Sequence, residues 1–182
     1  MTLHPEILRK RIRNEIENAR RRLRHTLELS DPEINDFPLI INVSMKDIPG
    51  PVWQGNDLAW ANNHEFTIVI DENYPYQKPV VSWKTPIFHP NICPPFEMYE
   101  NRYGYVCTRL LSNWNFDSNI VDFIKGIESL LVTPNTESPL PTNTCTRATE
   151  YFNTHTFFLP QVTKKAPLIV GEKDEEKAQG SG

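Results

Sequence analysis

Cys107 is the residue of this chain best placed to do chemistry. It follows Gly104-Tyr105-Val106 and precedes Leu110 and Trp114, and a Phe88-His89-Pro90-Asn91 run stands upstream. The stretch is poor in helical signal and reads as an ordered loop, where reactive side chains tend to sit. A cysteine so placed is a candidate nucleophile, and Asn91 is a candidate amide donor to a developing oxyanion. His89 opens two other readings. One is Cys-His acyl transfer, as in a cysteine protease. The other is a zinc site of His89, Cys93 and Cys107, with Cys145 or His155 as fourth ligand. A histidine held between Phe88 and Pro90 suits a structural role better. The chain has no CxxC pair, and its spacings match no common zinc module. Cys93 and Cys145 read as partly buried, inert thiols.

Elements on either side must position this loop. Leu8, Ile12, Ile16, Ala19, Leu23 and Leu27 recur at helical spacing, which predicts one amphipathic helix over residues 5–29, closed by Asp31-Pro32. Its outer face is basic: from Arg9 to Arg24 there are eight Arg or Lys against two Glu. That is an ordinary solvated face or a docking surface for an acidic partner. Four strands are predicted at 39–43, 52–60 (interrupted by Gly55-Asn56-Asp57), 66–70 and 80–83. Their closeness in sequence favours an antiparallel meander. Residues 86–118 have little periodicity. A second helix is predicted over 119–132, with Asn119 as N-cap and a wide apolar face suited to burial. Pro134-Asn135 ends it, and a third helix is predicted from Thr142 to Asn153. Trp53, Trp60, Trp83 and Trp114 read as core or sheet-face residues.

The chain has 182 residues, net charge −4, 16 prolines and three cysteines. This predicts one domain over 1–160 and a flexible acidic tail over 161–182. Nothing global points to nucleic acid or a membrane, and no apolar run is long enough to span a bilayer. Three cysteines do not make a disulfide framework, so a reduced, cytoplasmic protein is expected, or one shared with a nucleus.

Order and spacing together resemble the ubiquitin-conjugating enzyme family. The matching residues are Tyr74-Pro75 with Pro79, Phe88-His89-Pro90-Asn91-Ile92, Gly104-Tyr105-Val106-Cys107, Leu110, Trp114, Leu130-Leu131, Pro134-Asn135 and Pro139-Leu140. The resemblance covers about residues 7–155. It implies an α+β fold: an N-terminal helix, a four-stranded antiparallel meander, an active-site loop, a central helix and a C-terminal helix. It implies that Cys107 carries ubiquitin or a ubiquitin-like protein as a thioester, and that Asn91 stabilises the oxyanion or orders the loop. By the same resemblance, His89 and Pro90 are structural and Ser138 borders the active-site gate. Lys10, Arg11 and Arg13 match the patch that meets the activating enzyme. Tyr76 and Phe116 match positions that meet a RING-type ligase. A substrate lysine is the final acceptor. No metal and no cofactor are expected, because ATP is used by the activating enzyme.

Three features depart from the family pattern. Ile92 to Tyr103 make twelve residues between Asn91 and Gly104, where a handful is usual. Phe116 replaces a common proline, and Arg109 replaces a common acidic residue.

The chemistry suits these side chains. Exchange between thioesters is nearly isoenergetic, so a free cysteine with a pKa of ~8.5 is adequate when the electrophile is already activated. Attack by a lysine amine passes through an oxyanion, where one placed donor is worth about 2.7–4 kcal/mol. The alternative is a catalytically inert relative that scaffolds a ubiquitin-like protein or a ligase.

Overall fold

In the computed structural model, which describes residues 2–24, 26–111 and 114–155, the first helix is α1 (Pro5–Arg22). Leu8, Ile12, Ile16 and Ala19 make its buried face, and three arginines in the last turn suit the negative end of its dipole. The helix is shorter than its periodicity predicts. Leu23 caps it, and Leu27 belongs to strand β1 (Leu27–Leu29), paired antiparallel with β2 (Leu39–Met45). Leu23 and Leu27 are both buried, so the same apolar spacing continues across a break in the backbone. Pairing with β2 overrides local propensity there.

The main sheet has four strands in the order β1-β2-β5-β6, with β5 at His64–Ile70 and β6 at Val80–Trp83, all antiparallel. The predicted meander is therefore present, but its membership differs. Residues 52–60 do not form one of its strands. They lie in a separate hairpin of β3 (Gly50–Gln54) and β4 (Asp57–Ala61), turned at Gly55, whose φ is +63°. That positive φ is easy only without a Cβ, so the interruption in the apolar pattern was a turn.

Alternate residues of β2 and β5 face the core, and Trp83 stacks on Phe66 at 5.2 Å between ring centres. Across this face lies α2 (Ile120–Val132), with seven buried apolar side chains. Asn119 caps it as predicted, its side chain accepting from the Asp122 N–H at 3.1 Å. The third helix, α3, runs Asn143–Thr154 and buries Cys145, Ala148 and Phe152.

Residues 86–118 contain structure that their sequence hides. A small hairpin pairs β7 (Met98–Tyr99) with β8 (Arg102–Tyr103), and a 3-10 turn follows at Thr108–Leu110. Among the described residues, no helix is long and apolar enough to cross a membrane. The predicted tail at 161–182 lies outside the described residues.

One carboxylate joins α1 to α2 and to the loop between β5 and β6. Glu15 on α1 takes Arg11 Nε at 2.7 Å, the Tyr74 hydroxyl and the Ile120 N–H at 3.0 Å. The last of these is an otherwise unsatisfied donor of the first turn of α2. Burial, with the Glu15 charge beside it, pushes the Tyr74 hydroxyl far above its ordinary pKa, so it remains a donor.

Candidate active site

Cys107 ends the strand-like segment after the hairpin. Its N–H donates to the Asn91 carbonyl at 2.9 Å, and Val106 bridges Ile92. The thiol is free, and the residue is 5% exposed. It clusters with Tyr105, Cys93, Leu140 and Cys145.

Gly104 sets the approach to this segment. Its φ is +62°, and a Cβ there would stand 2.1 Å from the Trp83 carbonyl oxygen. Only glycine lets the chain leave the hairpin and lie this close to β6.

His89 and Asn91 have definite tasks. The Asn91 N–H donates to His89 Nδ1 at 3.0 Å, so the ring hydrogen sits on Nε2 and points to the Leu130 carbonyl at 3.0 Å. Burial pushes the His89 pKa down to about 3, against the smaller opposing pull of the Leu130 and Leu131 carbonyls. A neutral imidazole with both nitrogens engaged is neither a base for Cys107 nor a metal ligand. This removes the protease reading and the zinc set built on His89. Among the described residues, no three His, Cys, Asp or Glu side chains are grouped to hold a metal.

The Asn91 side chain holds the loop after α2. Its Nδ2 donates to the Asn135 and Ser138 carbonyls at 2.9 and 3.0 Å, and its Oδ1 accepts from the Asn135 N–H at 2.8 Å. Asn91 thus orders the segment beside Cys107, with both amide hydrogens engaged. Ser138 joins the site through its backbone carbonyl, and its side chain is exposed. The buried Pro90 accepts from the Leu140 N–H at 2.9 Å, which fixes the far end of the same loop.

Two cations border the thiol. A hydrogen bond to Cys107 raises the Arg109 pKa, helped by the charges of Cys107 and Tyr105 and by a hydrogen bond to Tyr99. Lys78 Nζ donates to the Thr108 carbonyl at 2.6 Å. Burial lowers its pKa, while the charge of Cys107 pulls it up. Lys78 was not found by sequence reasoning. The only cue was its place between Tyr76 and Pro79, and it reaches Thr108 across 30 residues.

Tyr76 and Phe116 come together from separate loops, with ring centres 5.5 Å apart and exposures of 40% and 46%. Trp114 packs behind them on Tyr74 and Phe123 and donates to the Pro75 carbonyl at 2.7 Å, consistent with its reading as a packing residue.

The basic trio on α1 separates. Lys10 and Arg13 are exposed. Arg11 instead turns inward to Glu15. It donates to the Phe116 and Ser118 carbonyls at 2.7 and 2.9 Å, and its guanidinium lies 4.9 Å from the centre of the Phe116 ring. Arg11 thus also holds the Phe116 loop.

This arrangement has known counterparts. Residues 11–159 match the family model for ubiquitin-conjugating enzymes. A mimivirus protein (Acanthamoeba polyphaga mimivirus) named as a probable ubiquitin-conjugating enzyme is 31% identical over 128 residues, 69% of this chain and 71% of that one. The NEDD8-conjugating enzyme ubc12 of Schizosaccharomyces pombe is 36% identical over 77 residues, 42% of this chain and 39% of that one. A ubiquitin conjugating enzyme of Dictyostelium discoideum is 33% identical over 75 residues, 41% of this chain and 46% of that one. With these last two the match spans less than half of the relative's length. The solved structure of S. cerevisiae Ubc12 shares the fold, with a TM-score of 0.52 at 22% identity, over 73% of this chain and 64% of that one. The chain belongs to the ubiquitin-conjugating enzyme family.

The buried histidine makes the fold sensitive to acid. Below pH 6.5 the unfolded chain binds a proton that the folded chain refuses until about pH 3. The contribution of His89 is therefore whole above 6.5 and is lost as pH falls through that window, at up to about 1.4 kcal/mol per pH unit. His64, also shifted down by burial, acts in the same direction. Urea unfolding at pH 7.5, 6.0 and 5.0 should show this loss, with a shallower dependence in His89→Gln. An unchanged slope in that variant would assign the sensitivity to other groups.

Proposed function

We propose that this protein carries ubiquitin or a ubiquitin-like protein as a thioester on Cys107 and transfers it to a lysine. In the first step the Cys107 sulfur attacks the activating enzyme's thioester. A new C–S bond forms, the old one breaks, and the activating enzyme regains its thiol. In the second step a lysine nitrogen attacks the same carbonyl. An amide forms, the C–S bond to Cys107 breaks, and the amine's proton leaves so that the thiol is restored. ATP is consumed by the activating enzyme, so no cofactor enters either step.

The observation that carries this reading is a free thiol at the family's cysteine position, with its N–H held by the carbonyl of the family's asparagine. Arg109 and Lys78 add positive charge where a thiolate or an oxyanion carries negative charge. The paired, exposed Tyr76 and Phe116 suit a RING-type ligase. Both ubiquitin and NEDD8 are suitable cargo to test, since relatives are named for each.

The deciding experiment charges wild type and the Cys→Ser variants at 93, 107 and 145, using each modifier with its own activating enzyme and ATP. A thiol-sensitive adduct that becomes thiol-resistant only in Cys107→Ser is expected. No adduct beside a demonstrably charged activating enzyme would leave the inert-scaffold reading.

In the same assay, Asn91→Ala should still charge but should discharge to free lysine at least tenfold more slowly. Loss of its loop contacts should also lower stability by about 1–3 kcal/mol. Slow discharge at wild-type stability would make Asn91 an oxyanion donor rather than a loop anchor.

Lys10→Glu with Arg13→Glu should slow charging severalfold, with the difference shrinking as salt rises. Equal rates across salt would remove these residues from activating-enzyme docking.

A further inference from the structure

The β7–β8 hairpin presents its apolar side to solvent. Met98 pairs with Tyr103 and Tyr99 with Arg102, so each pair lies on one face. The Tyr99–Arg102 face turns inward. Tyr99 meets Tyr105 edge-on at 5.0 Å, and the Arg102 guanidinium lies 5.2 Å from the centre of the Tyr105 ring. The other face carries Met98 and Tyr103, 50% and 57% exposed, and Phe96 continues its alternation at 72% exposed. A hairpin with one wetted face ordinarily puts polar residues there. Three large apolar side chains clustered within eight residues mark an interaction surface.

This surface is held firmly. The turn at Glu100-Asn101 has φ of 47° and 60°, the two positive values of a tight hairpin turn. At its base the Gly104 N–H donates to the Glu97 carbonyl at 3.1 Å, and the Trp83 N–H to the Gly104 carbonyl at 2.7 Å. The Glu97 carboxylate accepts from the Thr144 N–H and hydroxyl at 3.0 and 2.6 Å, which ties the insertion to the first turn of α3. A face ordered in advance loses little entropy on binding.

We propose that Phe96, Met98 and Tyr103 contact the ubiquitin-like protein while it is bonded to Cys107, an inference that rests on the carrier function above. The hairpin that carries this surface lies beside the reactive thiol. Tyr105, on which the hairpin rests, lies two residues before Cys107, and Tyr99 packs against the buried cluster that holds both. The thioester tethers its cargo beside the hairpin at an effective concentration on the order of millimolar, so a weak apolar contact suffices. The partner it fits is a modifier with an apolar patch near its C-terminal tail. The insertion thereby becomes a selector among modifiers.

The test replaces Met98 with photoreactive benzoylphenylalanine, and in a control protein Ile40, which is 53% exposed on β2. Each protein is charged with ubiquitin or NEDD8 by the matching activating enzyme and then irradiated. Position 98 should crosslink to the modifier, and position 40 should not. Adding Phe96→Ser and Tyr103→Ser should cut the crosslink yield per charged molecule at least threefold. Yields at 98 no higher than at 40, or adducts only to the activating enzyme or to a second copy, would overturn the contact while leaving the carrier function intact. Absence of any Cys107 thioester would overturn both.

Discussion

The Asn91 side chain offers two N–H hydrogens and one carbonyl oxygen, and all three are engaged between Asn135 and Ser138. Its backbone is engaged as well, with the N–H on His89 and the carbonyl on the Cys107 N–H. One residue therefore joins the strand that holds the thiol, the loop that borders it and, through His89, the C-terminal turn of α2. Buried amides left without partners cost about 1–3 kcal/mol each, so these bonds act together or fail together. Removing one partner strands several others. The geometry around Cys107 is set by this satisfaction of polar groups more than by packing of the thiol itself.

A second set of polar contacts orients the loops that carry Tyr76 and Phe116. Glu15 gathers Arg11, the Tyr74 hydroxyl and the first N–H of α2, and Arg11 passes the restraint on to the carbonyls of Phe116 and Ser118. Charge-assisted bonds in a partly buried setting are stronger than exposed ion pairs. The exposed Tyr76–Phe116 pair thus stands on a base that Arg11 holds. Lys10 and Arg13, on either side of it along α1, remain on the surface.

Much of this was legible in the residues. The helix over 119–132, its Asn119 cap and the third helix follow from periodicity and capping alone, because their apolar faces and boundaries agree. The first helix was overextended because Leu23 and Leu27 keep helical spacing while β2 captures Leu27 into a strand. The 52–60 segment was misplaced because period-two patterning identifies a strand but not the sheet that accepts it. At the site, residue types pointed to Cys107 and Asn91. The inward turn of Arg11 and the reach of Lys78 to Thr108 depend on contacts 30 to 107 residues apart, which no local pattern carries.

The twelve-residue segment between Asn91 and Gly104 shows the same division between local and distant causes. Its turn, its pairing and its inner aromatic contact are consequences of local sequence. Its attachment is not: Glu97 occupies the positive end of α3, and Cys93 Sγ lies 3.9 Å from Cys145 Sγ on the same helix. The contact between these two thiols lowers the Cys93 pKa and raises that of Cys145, and Cys145 Sγ also donates to the Ile92 carbonyl at 3.6 Å. A segment that only lengthened the loop would gain nothing from such anchoring, since loops lengthen at small entropic cost. Anchoring at β6, at Tyr105 and at α3 is what a segment needs when its outer face must hold one position relative to Cys107. The exposed Phe96, Met98 and Tyr103 are the residues that this anchoring keeps in place.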